Sequence, residues 1–399
     1  MKHKSTKNVN NYVTKKVCVL FFLLNFAFPQ EKLELKQADS LSSKRQNNET
    51  VTILKGNIIF QKGDTFLYGN KATQSDKSRQ VKLYDNVKVD DKNNIVFCDS
   101  LFYDTEHEQI ELFGSVTIKN ENQLITADKG LINNIDGKIK LFKNGKIQGK
   151  NQIVKGDLIE IFSKKNQIES LKVYENSTII SKNSGYEKDK NNQNQFIINQ
   201  DILKAEVIEL KIDENEIYEI ELIGMASSFI HLYEDSLYQG TNEISGDKII
   251  LKLINNNATE LISTGGVIGQ FIPSTSNTSS QEKVDYNGER VEFDTNSRSS
   301  KMYGKANIIQ TGMDLTAAQI NIDWKSNILE AFDNNLYDKE ENLEPTLIEK
   351  GREPVSGKSM VYNIKSRRGK VIAGTTKVQN NMYAGSQITT VSDSTFYID

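Results

Sequence analysis

The sequence repeats itself every 29 residues, and this period limits the possible folds more than any other feature. A small residue followed by a polar one recurs in steps of 29 at Gly69-Asn70, Cys98-Asp99, Ala127-Asp128 and Gly156-Asp157. A second signature, a leucine followed by an aromatic residue and a short polar or glycine pair, keeps the same spacing at Leu83, Leu112 and Leu141. Repeats of this length are supersecondary units that bury their apolar side by stacking on their neighbours.

The repeat continues to the end of the chain with insertions. Further anchors with the same pattern are Ala205, Gly246, Gly288, Ala317, Gly357 and Gly385. The longer steps, of 40 to 49 residues, contain polar stretches, which predict a linker or insert at 182–195 and loop insertions at 273–285 and 333–354. Pro273, Pro345 and Pro354 lie in or beside the last two, as expected for loops, because proline cannot donate to a sheet ladder.

The N-terminus has the pattern of a secretory signal peptide over residues 1–30. A lysine-rich start precedes the apolar run Val17–Phe28, which is too short to span a bilayer. The pattern predicts export, with cleavage between Ala27 and Glu31; the alternatives are an uncleaved anchor and a buried core strand. A polar lead-in follows over residues 31–50.

Cysteine and charge content narrow the classes of function. Cys98 is the one cysteine outside the predicted signal peptide, so no internal disulfide is expected, and an intermolecular bridge is the alternative to a free thiol. Its position at a small-residue anchor predicts a small buried side chain. The net charge is −3, and positive and negative residues are mixed along the chain. The sequence therefore lacks the basic face of a nucleic-acid-binding protein. We therefore expect no nucleic-acid partner.

One unit has the pattern of a bent strand and its return. The stretch from 110 to 118 alternates, and one side carries Ile110, Leu112, Val116 and Ile118. Gly114 stands in the middle, where a glycine predicts a bulge or sharp bend. The other side is polar, unlike the apolar outer band of a membrane barrel. Because helical periodicity is nearly absent, the sequence predicts an all-β protein, with an interior either filled by side chains or partly open as a groove.

No arrangement of residues indicates catalysis. His3, His107 and His231 are scattered, and isolated histidines are more often surface or core residues than ligands. The turn carboxylates around Asp104 lack the spacing of a calcium loop. We expect no enzymatic activity, no metal and no cofactor. The basic run Lys365–Lys370 is read as a solvated turn, with contact to lipid phosphates as the alternative.

Three motifs in phase resemble the OstA-like family of lipopolysaccharide transport: Gly56–Phe60, Gly69–Ala72 and Val81–Val89. This family includes the periplasmic bridge protein LptA and the N-terminal periplasmic domain of the translocon LptD. The resemblance is clearest from 51 to 181 and returns from Gly288 onward. It implies an elongated, twisted β-jellyroll made of the stacked 29-residue units.

Two jellyroll regions are expected from this resemblance. The first covers 51–181 and the second covers 196–399, and the polar segment 182–195 separates them. The tail motifs Gly357–Lys370 and Met382–Ile388 look more like the translocon than the bridge protein. No barrel-forming part is present, so the chain is expected to be either a barrel-less OstA-like protein or the N-terminal part of a translocon at the outer membrane.

The resemblance implies a non-enzymatic periplasmic carrier or scaffold for lipopolysaccharide. Lipid A acyl chains would lie in an apolar groove lined by in-phase residues of three units: Ile58, Phe60, Val87, Val89, Val116 and Ile118. The end strands would pair with other transport proteins, or with another copy, by β-strand addition. The candidate pairing residues are Thr52, Leu54 and Ile58 at one end and Ile388, Val391 and Tyr397 at the other.

A repeat-built protein of another class is the alternative. A β-solenoid adhesin or a polysaccharide-processing β-helix would also show a long period. An enzyme of that type would place Asp, Lys and Arg on one face at successive rungs. Here the phase-locked positions are apolar, aromatic and Asn, and this favours a carrier or scaffold.

Overall fold

The computed structural model describes residues 32–46, 49–75, 77, 79–164, 167–189, 191–214, 216–254, 257–274, 282–334, 343–378, 381–392 and 395–399. These residues form one sheet of 25 strands and contain no helix, which confirms the predicted all-β class. No helix in this part of the chain is long and apolar enough to cross a bilayer. The predicted signal peptide lies outside the described residues.

The strands follow one another as a long meander. The first twelve are β1 (Glu34–Gln37), β2 (Ser40–Gln46), β3 (Glu49–Lys62), β4 (Thr65–Ser75), β5 (Gln80–Asp91), β6 (Asn94–Asp104), β7 (Gln109–Lys119), β8 (Leu124–Asn133), β9 (Lys138–Gln148), β10 (Gln152–Lys164), β11 (Gln167–Lys188) and β12 (Asn194–Asp213). The others are β13 (Glu216–Glu234), β14 (Leu237–Ile254), β15 (Asn257–Pro273), β16 (Val284–Asp294), β17 (Ser299–Gln310), β18 (Met313–Asp323), β19 (Ile328–Phe332), β20 (Thr346–Glu349), β21 (Val355–Ser356), β22 (Ser359–Asn363), β23 (Arg368–Val378), β24 (Asn381–Ser392) and β25 (Thr395–Ile398).

Consecutive strands from β3 to β18 pair antiparallel with each other, as β5 does with β4 and β6. Interrupted strands at both ends of the meander depart from this rule. At the start, β1 and β2 pair with the two halves of β3, so they are one strand interrupted at Ala38-Asp39. Near the end, β19 and β20 pair with the two halves of β18 in the same way.

A row of bulges crosses the middle of the sheet. On odd-numbered strands from β3 to β17, two consecutive residues have positive φ, and the pairing register shifts beside them. The pairs are Gly56-Asn57, Asp85-Asn86, Gly114-Ser115, Lys143-Asn144, Glu175-Asn176, Gly224-Met225, Gly265-Gly266 and Gly304-Lys305. The bend predicted at Gly114 and its equivalents is thereby confirmed. Because bulges bend strands, the row forms a fold line across the sheet.

Even-numbered strands place the small residue of the repeat at this fold line. A Cβ added to Gly156 would overlap Val173 Cγ1, and one added to Gly246 would lie 2.7 Å from the Ser263 hydroxyl. Cys98 occupies the same position and is buried, as predicted. Only small residues fit there because the neighbouring strand fills the space. The period of 29 residues therefore corresponds to two strands and their turns.

The polar residue of the repeat supports the bulge of the next strand. Asp157 accepts a hydrogen bond of 2.7 Å from the Asn176 side chain. Where the bulge begins with glycine, the carboxylate occupies the space of the missing Cβ, as Asp99 does beside Gly114. Both residues of the first signature thus have a structural role at the fold line.

Contacts between strand ends indicate that the sheet is folded in two along this line. Antiparallel strands alternate in direction. Turns after odd strands, beginning with 63–64, therefore lie on one rim, and turns after even strands lie on the other. Lys62 ends β3 on the odd rim and Tyr103 lies at the end of β6 on the even rim, yet Lys62 Nζ is 2.6 Å from the Tyr103 hydroxyl. The rims meet along a line that we call the seam, and the two layers face each other as in the predicted jellyroll.

The structure corrects the predicted linker. Residues 182–188 continue β11, and residues 194 and 195 begin β12, so most of the segment 182–195 is a hairpin. Its Asn- and Lys-rich composition resembles a loop, but backbone pairing with the neighbouring strand overrides that local preference. The expected loop 333–354 likewise contains β20 and is a loop only in part. Most of the insertion at 273–285 lies outside the described residues.

Candidate functional site

The interior between the two layers is the site that the sequence singled out. Strands from β3 to β18 contribute alternate apolar side chains from the two sides of the fold line. In β5, Val81 and Leu83 come before the bulge and Val87 and Val89 come after it, and all four are buried. One apolar core runs from β3 to β24 in this way. An apolar lining of this kind is suited to alkyl chains, because the burial of apolar surface is favourable and does not depend on the orientation of the buried group.

The six predicted lining residues all lie in this core. Their exposed fractions are between 1 and 3%: Ile58, Phe60, Val87, Val89, Val116 and Ile118. In this conformation the interior around them is filled by the protein's own side chains, which favours the filled alternative over the open groove. Toward the C-terminal end, a cavity beside Tyr362 has a volume of about 10 Å³, enough for a single water molecule. An acyl chain therefore needs the two layers to separate.

A polar cluster joins the two rims near the first strands. Lys62 is 3% exposed, and its ammonium donates to the Glu108 carboxylate at 2.7 Å as well as to Tyr103. The Tyr103 hydroxyl donates to the same carboxylate at 2.8 Å. Burial, and then the hydrogen bond to Glu108, raises the pKa of Tyr103 well above its ordinary value. The cluster therefore joins the two rims through side-chain hydrogen bonds and uses no backbone hydrogen bond of the sheet.

Sequence reasoning missed this cluster. Its one local signal is that Lys62 continues the inward alternation of Ile58 and Phe60, so a lysine occupies a core-facing position. Its acidic partner lies 46 positions away in another turn, where no period predicts it. Asp104 lies in a turn in which its carboxylate accepts backbone hydrogen bonds from Glu106 and His107.

The same offset joins the rims at later positions. The turn after β3 meets the turn after β6, three strands later. Glu234, at the end of β13, forms an ion pair with Arg298 in the turn after β16. The Arg367 guanidinium, in the turn after β22, donates to the Thr311 carbonyl in the turn after β17 at 3.5 Å. Nearby, the Tyr362 hydroxyl of β22 donates to the Glu349 carboxylate of β20 at 2.8 Å. These seam contacts involve polar side chains.

The outermost strands differ from the predicted pairing edges. Thr52, Leu54 and Ile58 belong to β3, which is covered by β1 and β2, so the prediction of an open edge at these residues is wrong. Residues 34–46 lack apolar alternation, and this hid their pairing in the sequence. The outer strand at this end of the described chain is β1 with β2.

At the other end, the predicted pairing residues lie on two strands. Ile388 and Val391 belong to β24, which lies between β23 and β25, so neither is on the outermost described strand. Ile388 is a buried core residue. Tyr397 is on β25, the outermost strand at this end, and is exposed.

Two histidines and the tryptophan make local contacts within the fold. His107 lies in an exposed turn, and His231 in β13 contacts Asp201. Trp324, in the turn after β18, donates from Nε1 to Ser300 at 2.6 Å. The described residues contain no group of three or more His, Cys, Asp or Glu side chains that could hold a metal ion.

The comparison with protein-family models agrees with the motifs. The model of the OstA-like protein family matches residues 30–167. A solved structure that aligns with this one is the crystal structure of LptH from Pseudomonas aeruginosa, described as the LptA-homologous periplasmic component of the lipopolysaccharide transport device. The two chains are 17% identical, the alignment covers 26% of this chain and 77% of LptH, and the TM-score is 0.23. A search of curated proteins found no match.

The family match covers the strands in which the 29-residue repeat is most regular, from the lead-in to the end of β10. It includes the three motifs that carry the resemblance, as well as the Lys62 cluster and the first bulges of the fold line. The similarity to the OstA-like protein family is therefore located at residues 30–167.

Proposed function

We propose that this protein is a non-enzymatic periplasmic carrier or scaffold in lipopolysaccharide export. Lipid A acyl chains would enter between the two layers at the seam and lie against the apolar interior. The family match over the first third of the chain supports this role. Export by the signal peptide expected at 1–30 would bring the protein to the periplasm.

One observation carries the proposal: the apolar interior is bounded on one side by continuous backbone and on the other by side-chain contacts. Strands β3 to β18 cross the fold line unbroken, whereas the seam contacts are polar pairs such as Lys62 with Glu108. The layers can therefore move apart at the seam without loss of ladder hydrogen bonds. A lipid with several alkyl chains would replace the contacts that the layers make with each other, so apolar burial is retained.

Partners are proposed at the two outermost strands. The outer edges of β1–β2 and of β25 have backbone groups available for strand addition by other transport proteins or by another copy. Two exposed residues, Leu41 and Tyr397, mark these edges. A β-solenoid adhesin or polysaccharide-processing protein is less well supported, because solenoid rungs stack as parallel strands, whereas successive strands here are antiparallel.

The test of lipid binding uses a photo-reactive amino acid on the two faces of the same strands. Inward positions Val87 and Val116 are compared with their outward neighbours Lys88 and Thr117, which control for position along the stack. In cells that export lipopolysaccharide, the inward pair should capture it and the outward pair should not. Equal capture on both faces, or none at the inward positions in a folded protein, contradicts the proposal.

The test of the edges places the same amino acid at Leu41 and Tyr397. A control at Ile135, an equally exposed residue in a turn between β8 and β9, reports random encounters. Edge positions should give a discrete protein adduct, and the control should give none. If all three positions behave alike, strand addition at these edges is rejected independently of lipid capture.

A further inference from the structure

Four consecutive strands in the middle of the chain are much longer than the strands of the regular 29-residue repeat. β11, β12, β13 and β14 contain 22, 20, 19 and 18 residues, whereas β5 to β9 contain 10 to 12. The hairpin of β11 and β12 stays paired to its tip, as far as Lys188 and Asn194. It therefore extends beyond the rim formed by its neighbours.

β13 leaves the side of β12 before the hairpin ends. Their pairing stops at Ile202 and Phe229. Two residues later, the His231 backbone N–H donates to the Asp201 carboxylate at 2.9 Å, and the His231 ring contacts the same oxygen. Where the two strands diverge, the buried Asp201 side chain therefore replaces the β12 backbone as the hydrogen-bond acceptor for β13. The Asn183 side-chain amide also donates to Asp201.

β13 then crosses one face of the hairpin toward β11. A Cβ on Gly185 would overlap the Tyr233 ring, so the two strands are in close contact there. Beyond the crossing, Tyr186 N–H donates to the Ser236 carbonyl at 2.8 Å and pairs with Leu237 of β14. The tip of β13 and β14 therefore covers the inner face of the hairpin and its β11 edge.

This crossing leaves the other edge of the hairpin open. Among the described strands, none pairs with Asn194–Gln200 on the side away from β11. Apolar side chains are exposed on the outer face beside that edge: Phe196 is 57% exposed and Ile198 is 64% exposed, with Tyr186 packed against Phe196. The segment has no lysine, proline or bulge, the features that normally protect an edge strand.

The segment is complementary to itself in antiparallel orientation. It reads Asn-Gln-Phe-Ile-Ile-Asn-Gln from 194 to 200. If a second copy pairs about Ile197, Phe196 lies opposite Ile198, and the amides at each end lie opposite amides. No charges meet, and cross-strand apolar pairs and amide pairs are favourable. A two-fold contact of this kind is closed, because the same patch serves both copies.

From this geometry we propose that the Asn194–Gln200 edge of β12 pairs antiparallel with the same edge of a second copy. The sheet then continues from β12 of one copy into β12 of the other, and the exposed aromatic patches of the two copies merge. This contact is lateral, in the middle of the chain, and is independent of the outermost strands and of lipid binding.

Charge placement tests both the contact and its register. The wild-type protein should sediment as a dimer in a concentration series. The variant F196K/I198K places lysine opposite lysine in both cross-strand pairs, so it should sediment as a monomer. The variant F196E/I198K places glutamate opposite lysine in both pairs, so it should recover the dimer at low salt and lose it at high salt. Circular dichroism checks that both variants retain the wild-type strand content.

A single cysteine gives a second readout. In the proposed register residue 197 meets its own copy, with Cα atoms about 4.5–5.5 Å apart, a separation that a disulfide can bridge. I197C should form a covalent dimer under mild oxidation. K204C is the control, because Lys204 is exposed but its strand is paired on both sides. A monomeric wild type, a dimer that survives F196K/I198K, or equal crosslinking of the two cysteine variants overturns the proposal.

Discussion

Lys62 and Tyr103 lie 41 positions apart, on opposite rims of the sheet, yet the lysine ammonium donates to the tyrosine hydroxyl at 2.6 Å. This contact cannot form in an open sheet, because the residues belong to strands separated by two others and to opposite strand ends. It fixes how far the layers are offset when the sheet folds. Glu234 with Arg298, and Thr311 with Arg367, show the same offset of three strands farther along the chain.

The first prediction concerns the charge balance of this cluster. E108Q leaves the buried Lys62 ammonium without its carboxylate, and loss of one partner of a buried pair typically costs about 3 kcal/mol. Because Glu108 is partly exposed, we expect roughly 2 kcal/mol of lost stability in chemical denaturation. The double variant K62M/E108Q should be more stable than E108Q, because it removes the uncompensated charge.

A surface pair provides the control for this prediction. Lys92 and Asp64 are 2.6 Å apart, but both side chains are largely exposed. Such pairs contribute between 0 and about 1 kcal/mol, so D64N should leave stability nearly unchanged. If E108Q costs no more than D64N, the seam cluster does not hold the layers together.

The second prediction concerns the fold line. Gly114 has φ of +72°, and an added Cβ would overlap the Asp99 carboxylate. G114A should therefore cost more than the 1–2 kcal/mol typical of a left-handed alanine, by roughly another 1–2 kcal/mol. Gly266 is the matched control: its φ is +58°, but an added Cβ meets nothing within 4 Å. G266A should show the backbone cost alone in the same denaturation experiment.

A double variant separates backbone strain from collision at Gly114. D99A removes the carboxylate, so D99A/G114A should be more stable than the sum of the two single changes predicts. Additive effects would mean that the Asp99 side chain does not limit the size of the residue at position 114. The 29-residue signature would then need another physical origin.

The fold line was predictable because its causes are local. A glycine in the middle of an alternating strand marks a bulge, and the small anchor recurs in phase. The seam was not predictable, because Lys62 and Glu108 are brought together by the fold rather than by spacing in the chain. The hairpin at 182–195 was missed for the opposite reason: its polar composition has the local pattern of a loop, and strand pairing over 17 positions overrides it.

The third prediction concerns the free thiol. Cys98 is buried at the fold line, and burial raises its pKa to about 12. Because of this raised pKa, little thiolate is present at neutral pH, and the thiolate is the form that reacts. The folded protein should react with a maleimide or disulfide reagent far more slowly than the unfolded protein at the same pH. Rapid labelling of the folded protein would mean that the layers open often enough to expose the fold line.

The fourth prediction concerns the acid stability of the charged network that joins β12, β13 and β14. Lys211 bridges Glu219 and Glu221 at 2.6 Å each, and Lys248 contacts Glu221 at 2.9 Å. The hydrogen bond from Lys211, and then that from Lys248, lowers the pKa of Glu221 to about 2 from its ordinary 4.5. A carboxylate whose pKa is lower in the folded state stabilises that state fully at pH values above its unfolded-state pKa. This stabilisation is lost as the pH falls through the folded-state pKa. The contribution of Glu221 should therefore be complete above about pH 5 and disappear toward pH 2.

E221Q tests this, because glutamine keeps the size of the side chain but cannot ionise. Its stability deficit relative to wild type should be constant from neutral pH to about pH 5 and should shrink steadily toward pH 2, as the wild-type carboxylate is protonated. E121Q, at an exposed turn residue, is the control for charge change alone. A deficit that stays constant down to pH 2 would mean that Glu221 acts through packing and not through its charge. A deficit that appears only below pH 4 would reverse the sign of the linkage. Either result would remove the lysine–glutamate network as a source of stability across β12, β13 and β14.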